Sequence, residues 1–158
     1  MKNSGFTLLE TIVAVGLIVT GLISSLALIN TSLVYVSNIQ DRLVAANLAM
    51  EGIEVIRNIR DNNWHQGAAW DRWLDENGIY RVAYDSTTIV RGEDVNAPLL
   101  LDNNGFYRYY VGAITPFVRK ISISKLHDYE MLVVSEVLWQ RRGKDYKLSA
   151  EEHLFNWK

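Results

Sequence analysis

Gly5-Phe6-Thr7-Leu8-Leu9-Glu10 leads into a segment, Thr11 to Gln40, that carries no charged side chain. This stretch decides the fold. An acidic residue at a bilayer centre costs roughly 2.5–3.5 kcal/mol on insertion scales, and less near the interface. A carboxylate at the mouth of such a segment is therefore a functional hypothesis that needs a partner. None is visible nearby, since Lys2 is the only cation in the first ten residues and precedes the Gly5-Phe6 step. The run from Thr11 to Ile29 is close to the ~20 residues that cross a hydrocarbon core of about 30 Å. A secretory signal has an apolar region of only about 7–15 residues, followed by a small-residue cleavage site. Ser25-Leu26-Ala27 is a weak site of that kind. A plain signal anchor would explain the apolar run but not Glu10.

The apolar pattern continues past the uncharged segment. Ile39, Leu43, Ala46, Met50, Ile53 and Ile56 recur at helical spacing, with Gln40, Asp41, Asn47, Glu51, Glu54 and Asn58 tending to the other side. This second half is expected to leave the membrane and lay one stripe on a partner. Asp61-Asn62-Asn63 reads as the stop, with Arg57 and Arg60 in the last turn, where cations suit the helix dipole. A solvated helical face is the plain reading of Glu51 and Glu54.

The motif Gly5-Phe6-Thr7-Leu8-Leu9-Glu10, after a short leader and before an apolar helix, resembles the class III signal of type IV pilins and type II secretion pseudopilins. The resemblance implies several things. A membrane prepilin peptidase cuts between Gly5 and Phe6, Phe6 becomes the N-methylated terminus, and Glu10 is the assembly carboxylate. It implies partners: other pilin or pseudopilin subunits along the N-terminal helix, the peptidase, an inner-membrane assembly platform, and membrane lipid before assembly. It implies a single-pass protein of the bacterial cytoplasmic membrane with its head outside, and later a place in a pilus or pseudopilus. Ala45-Ala46-Asn47-Leu48-Ala49-Met50-Glu51-Gly52-Ile53-Glu54, with Arg57 and Arg60, resembles the minor pilins and minor pseudopilins. Major pilins often carry a proline in the anchor, whereas here the two prolines are Pro98 and Pro116. The pilus, type II secretion and competence machines share this leader, and the head carries no motif that chooses among them.

The chain then divides into a leader (1–5), an apolar helix (6–38), its amphipathic continuation (39–61) and a β-rich head (62–158). The head opens with Trp64, Trp70 and Trp73. Trp70, Trp73 and Leu74 have the spacing of a short helix or turn. The plain reading is that these rings cover the gap between helix and sheet. Strand signals follow at Gly78–Tyr84, Leu99–Leu101, Phe106–Val111, Val118–Ser124, Leu132–Trp139 and Tyr146–Phe155, with Thr87–Val90 as a weaker extended segment. Asp102-Asn103-Asn104-Gly105 reads as a hairpin turn. Gln140-Arg141-Arg142-Gly143-Lys144-Asp145 reads as a second turn with a basic tip. One long helix followed only by strands gives an α+β class, with an antiparallel sheet on the second half of the helix.

Composition bounds the function. The chain has 158 residues, no cysteine and a formal charge of −2. Loss of Lys2 with the leader would leave fifteen Lys and Arg against eighteen Asp and Glu, a charge of −3. Neither a disulfide framework nor a thiolate metal site is possible. No dense basic run suggests a nucleic-acid surface. His65, His127 and His153 are scattered, and no phosphate loop or nucleophile elbow appears. Asp102–Gly105 lacks the oxygen-ligand pattern of an EF-hand. The expectation is a non-enzymatic assembly subunit with no cofactor. Two alternatives stand beside it. One is a filament-tip binding module, an adhesin or DNA-uptake head, using Trp64, Trp70 and Trp73 or the Arg141-Arg142 tip. The other is a plain membrane-anchored domain.

Overall fold

A computed structural model describes residues 7–74, 76–89 and 94–157. Gly5 and Phe6, the expected cleavage and methylation positions, lie outside the described residues, as does Val90. The chain is α+β: one long N-terminal helix, α1 (Leu8–His65), whose second half packs on an antiparallel sheet. It divides into two compact units at Gln40 and Asp41.

The first unit is helix. From Thr7 to Leu33 every residue is exposed, and the helix is long and apolar enough to cross a membrane. Several of its hydroxyls are tied back to the helix. Thr20 donates to Gly16 O (2.8 Å), Ser24 to Thr20 O (2.8 Å), Ser25 to Gly21 O (2.9 Å) and Thr31 to Ala27 O (2.9 Å). Such i−4 bonding satisfies the hydroxyls within the helix itself.

The second unit begins with the rest of α1. It buries Ala45, Leu48, Ala49, Gly52, Ile53, Val55, Ile56 and Ile59. This corrects the expected stripe, since Leu43 and Met50 are exposed. The reason is close approach. Ala45, Ala49 and Gly52 let the sheet come near the backbone, so the face with the smaller residues is the one covered. The helix end also differs from expectation. Asp61-Asn62-Asn63 lies inside α1, so Arg57 and Arg60 precede the last turn. Gly67 sets the stop, with φ +67°. Ala68 N donates to Asn63 O (2.9 Å) and Gly67 N to Trp64 O (3.1 Å). This is the paired 6→1 and 5→2 bonding of a left-handed glycine cap.

The main sheet comprises β1 (Gly78–Tyr80), β5 (Phe117–His127), β6 (Glu130–Arg141) and β7 (Lys144–Phe155), in the order β1-β5-β6-β7. The expected strand Gly78–Tyr84 forms only over β1, and Thr87-Thr88-Ile89 is not a strand. A small second sheet pairs β3 (Tyr107–Arg108), β2 (Leu100–Leu101) and β4 (Ala113–Ile114), the last without a clear sequence signal. Along β5 and β6, Phe117, Ile121, Ile123, Met131, Val133, Val137 and Trp139 face the core on a period of two. The β6–β7 connection is the two-residue turn Arg142-Gly143, with φ values of 52° and 74°. Two consecutive positive φ values mark the turn type that matches strand twist.

Candidate functional site

The expected site begins at the start of α1. The Thr7 hydroxyl accepts from Glu10 N (3.3 Å), so Thr7 is the helix N-cap and Glu10 its third residue. Thr-x-x-Glu is the pattern of a capping box, and an anion there also suits the helix dipole. Glu10 thus has a local role in starting the helix, besides any role between subunits. Its carboxylate is exposed where the apolar half begins.

The expected head surface comes apart into separate environments. Trp70 is core, its Nε1 donating to Asp128 O (3.2 Å). Trp64 is half-buried and tilts against Trp157, ring centres 4.7 Å apart. The Arg60 guanidinium lies 4.8 Å from the Trp64 ring and 4.5 Å from the Trp157 ring. Trp73 is 46% exposed at φ +72°, a conformation rare for a bulky residue. The loop holds it there. Asn63 Nδ2 donates to Trp70 O (3.2 Å) and Arg72 O (2.7 Å), and Leu74 is buried on the far side. The three tryptophans therefore do not form one exposed row. At the basic tip, Arg141 Nε lies 3.4 Å from the Asp41 carboxylate, and Arg142 is an exposed turn residue.

Other polar arrangements have no local sequence signal. Arg119 is fully buried on the helix-facing side of β5. Its Nη1 donates to Leu48 O (3.0 Å) and Glu51 Oε1 (2.7 Å), and its Nη2 to Val82 O (2.6 Å). Glu51 is therefore the counterion of a buried cation, not simply part of a solvated face. The fold also brings two of the scattered histidines to one carboxylate. His153 Nδ1 lies 2.7 Å from Glu130, and His127 Nε2 lies 4.0 Å from it. Among the described residues, no group of three or more metal-ligating side chains is arranged to hold an ion.

At the first expected turn, Asp102 Oδ1 accepts from Phe106 N (2.9 Å) and Asn104 N (2.8 Å), and its Oδ2 lies 3.1 Å from Arg108 Nε. Turn chemistry accounts for these oxygens. The Phe106 amide, with smaller help from Asn104 and Arg108, lowers the Asp102 pKa against the opposing effect of burial. A lowered folded pKa means that the contribution to stability is present above the unfolded value, about 4, and is lost as pH falls through the folded value. Asp102→Ala should flatten the stability–pH curve below about pH 4. Thermal unfolding across a pH series measures this, and an unchanged slope would contradict it.

Comparison with protein-family models, with characterised proteins and with solved structures gives no match to this chain.

Proposed function

We propose that the chain is a minor pilin or minor pseudopilin, a non-enzymatic structural subunit that a prepilin peptidase processes and that assembles through its N-terminal helix. One observation carries the reading. In sequence, the hexapeptide Gly5–Glu10 leads into a helix whose first half is apolar and, from Thr7 to Leu33, exposed, and whose second half packs on the sheet of the head. A helix apolar all round belongs in lipid or among other helices. On this reading the head lies outside the cytoplasmic membrane, and leader removal frees the Phe6 amine. Glu10 pairs with that amine on a neighbouring subunit. Two charges that are costly alone in an apolar surround become tolerable together, and their pairing sets the axial register.

The test separates the two roles of Glu10. Glu10→Gln keeps the capping-box pattern and removes the charge. Filament incorporation, measured by shearing and immunoblot, is expected to be lost in Glu10→Gln as in Glu10→Ala. Normal incorporation of Glu10→Gln would remove the proposed pairing. Mass spectrometry of the mature chain should show an N-methylated Phe6. An intact Met1 would instead favour the plain anchored domain. The tip-binding alternative loses its tryptophan row, because Trp70 is core and Trp64 lies against Arg60 and Trp157.

A further inference from the structure

The main sheet ends at β7, which is twelve residues long, contains no proline and pairs with β6 throughout without a bulge. In an antiparallel ladder, alternate residues turn both backbone polar groups to the same side. The Arg142-Gly143 turn closes on the Arg141–Lys144 pair, and at the far end Asn156 N donates to Tyr129 O (2.8 Å). The even-numbered residues therefore serve β6. Asp145, Lys147, Ser149, Glu151 and His153 turn their N–H and C=O groups to the open edge.

Beside that edge, between β7 and the second half of α1, runs a groove of about 490 Å³. Met50, 57% exposed, and Ala150 supply apolar lining. Glu51, Glu54, Glu151 and Glu152 are the acidic lining residues; Arg57, the cation in the lining, is bound to Glu54 and Glu152, and Glu51 is bound to Arg119 from the core. Four carboxylates against two guanidiniums leave the groove acidic.

We propose that β7 accepts an extended, basic segment of another protein as a fifth strand. Backbone pairing along Asp145–His153 provides affinity. Alternate side chains of the segment enter the groove, apolar ones over Met50 and Ala150 and cationic ones beside Glu54 and Glu152. A second copy of this chain is the rival occupant. Antiparallel pairing about Ser149 would set Lys147 against the other copy's Glu151. However, α1 runs in the same sense as β7 here: Ala45 and Leu48 share a cluster with Tyr146 and Leu148, and Ile53 to Ile59 share one with Leu154. Such a pair would reverse the second copy's helix. That copy's β7 is also net acidic, with Lys144 and Lys147 against Asp145, Glu151 and Glu152, and so is the poorer match for an acidic groove.

The probe is a labelled peptide in which threonine alternates with lysine and valine in turn, titrated onto the full chain in detergent micelles. Saturable binding is expected. It should fall about tenfold or more when the edge-facing peptide amides are N-methylated, when glutamate replaces lysine in the peptide, or in Ser149→Pro. Proline at an edge position removes an outward N–H without touching the β6 ladder. Failure of the basic peptide to saturate overturns the proposal. So does equal binding of the N-methylated peptide, which would mean charge adsorption without strand pairing. A concentration-dependent dimer abolished by Ser149→Pro would overturn it in favour of the second copy.

Discussion

Glu51→Ala is expected to lower the stability of the head by about 3–5 kcal/mol, the cost of removing one partner from a buried pair. Glu51 is itself one-third exposed, so its own desolvation is partial, but the Arg119 side chain that it answers has no exposure at all. Without the carboxylate, Arg119 keeps only the Leu48 and Val82 carbonyls as acceptors. The sign should reverse when the cation goes too. In Glu51→Ala/Arg119→Met no uncompensated charge remains, and a linear apolar side chain refills the space. The double variant should therefore be more stable than Glu51→Ala alone, a strongly non-additive cycle. Unfolding followed by tryptophan fluorescence in mild detergent measures the wild type, Glu51→Ala, Arg119→Met and the double variant. Additive losses would mean that the pair is not a unit.

Gly52→Ala should also destabilise, by about 1–3 kcal/mol, the usual cost of overpacking. This runs against helix propensity, which favours alanine over glycine by roughly 1 kcal/mol. Packing decides the sign. A Cβ on Gly52 would stand 2.4 Å from Ser135 Oγ, 2.7 Å from Ile121 Cδ1 and 3.2 Å from Arg119 Cδ. Ser135 and Ile121 belong to the sheet, held by the β5–β6 ladder. The nearest obstacle is one hydroxyl that is buried without a hydrogen-bond partner among the described residues. Ser135→Ala removes that oxygen, so it should restore part of the stability lost in Gly52→Ala. A rescue of zero would place the conflict at Ile121 instead.

The α+β architecture was legible because its signals are local. The uncharged segment Thr11–Gln40, the period-two run Val118–Ser124 and the turn within Gln140–Asp145 can each be read from one contiguous stretch. The helix end was less legible, because Asp61 and Asn63 resemble stop residues while acting elsewhere. Asn63 holds the loop of Trp70 and Arg72, and Asp61 accepts from Arg60 (2.9 Å). Gly67 carried the true signal. The buried helix face was misjudged because large residues draw attention, whereas contact follows the small ones at Ala45, Ala49 and Gly52. Parity along β5 does put Arg119 on the side of Ile121 and Ile123. Only the fold shows that Glu51, 68 positions earlier, makes that placement tenable. The same non-locality hid the stacking of Arg60 with Trp157 and the approach of His127 and His153 to Glu130.

The back-bonded hydroxyls of Thr20, Ser24, Ser25 and Thr31 have a thermodynamic consequence. With these hydroxyls and the helical backbone satisfied within the segment, transfer between acyl chains and an apolar protein surround need make or break none of those bonds. The exchange then reduces to differences in dispersion contact and packing entropy, which are small and of either sign. Such a rod is nearly indifferent to which apolar medium holds it, so modest forces elsewhere on the molecule can decide where it resides.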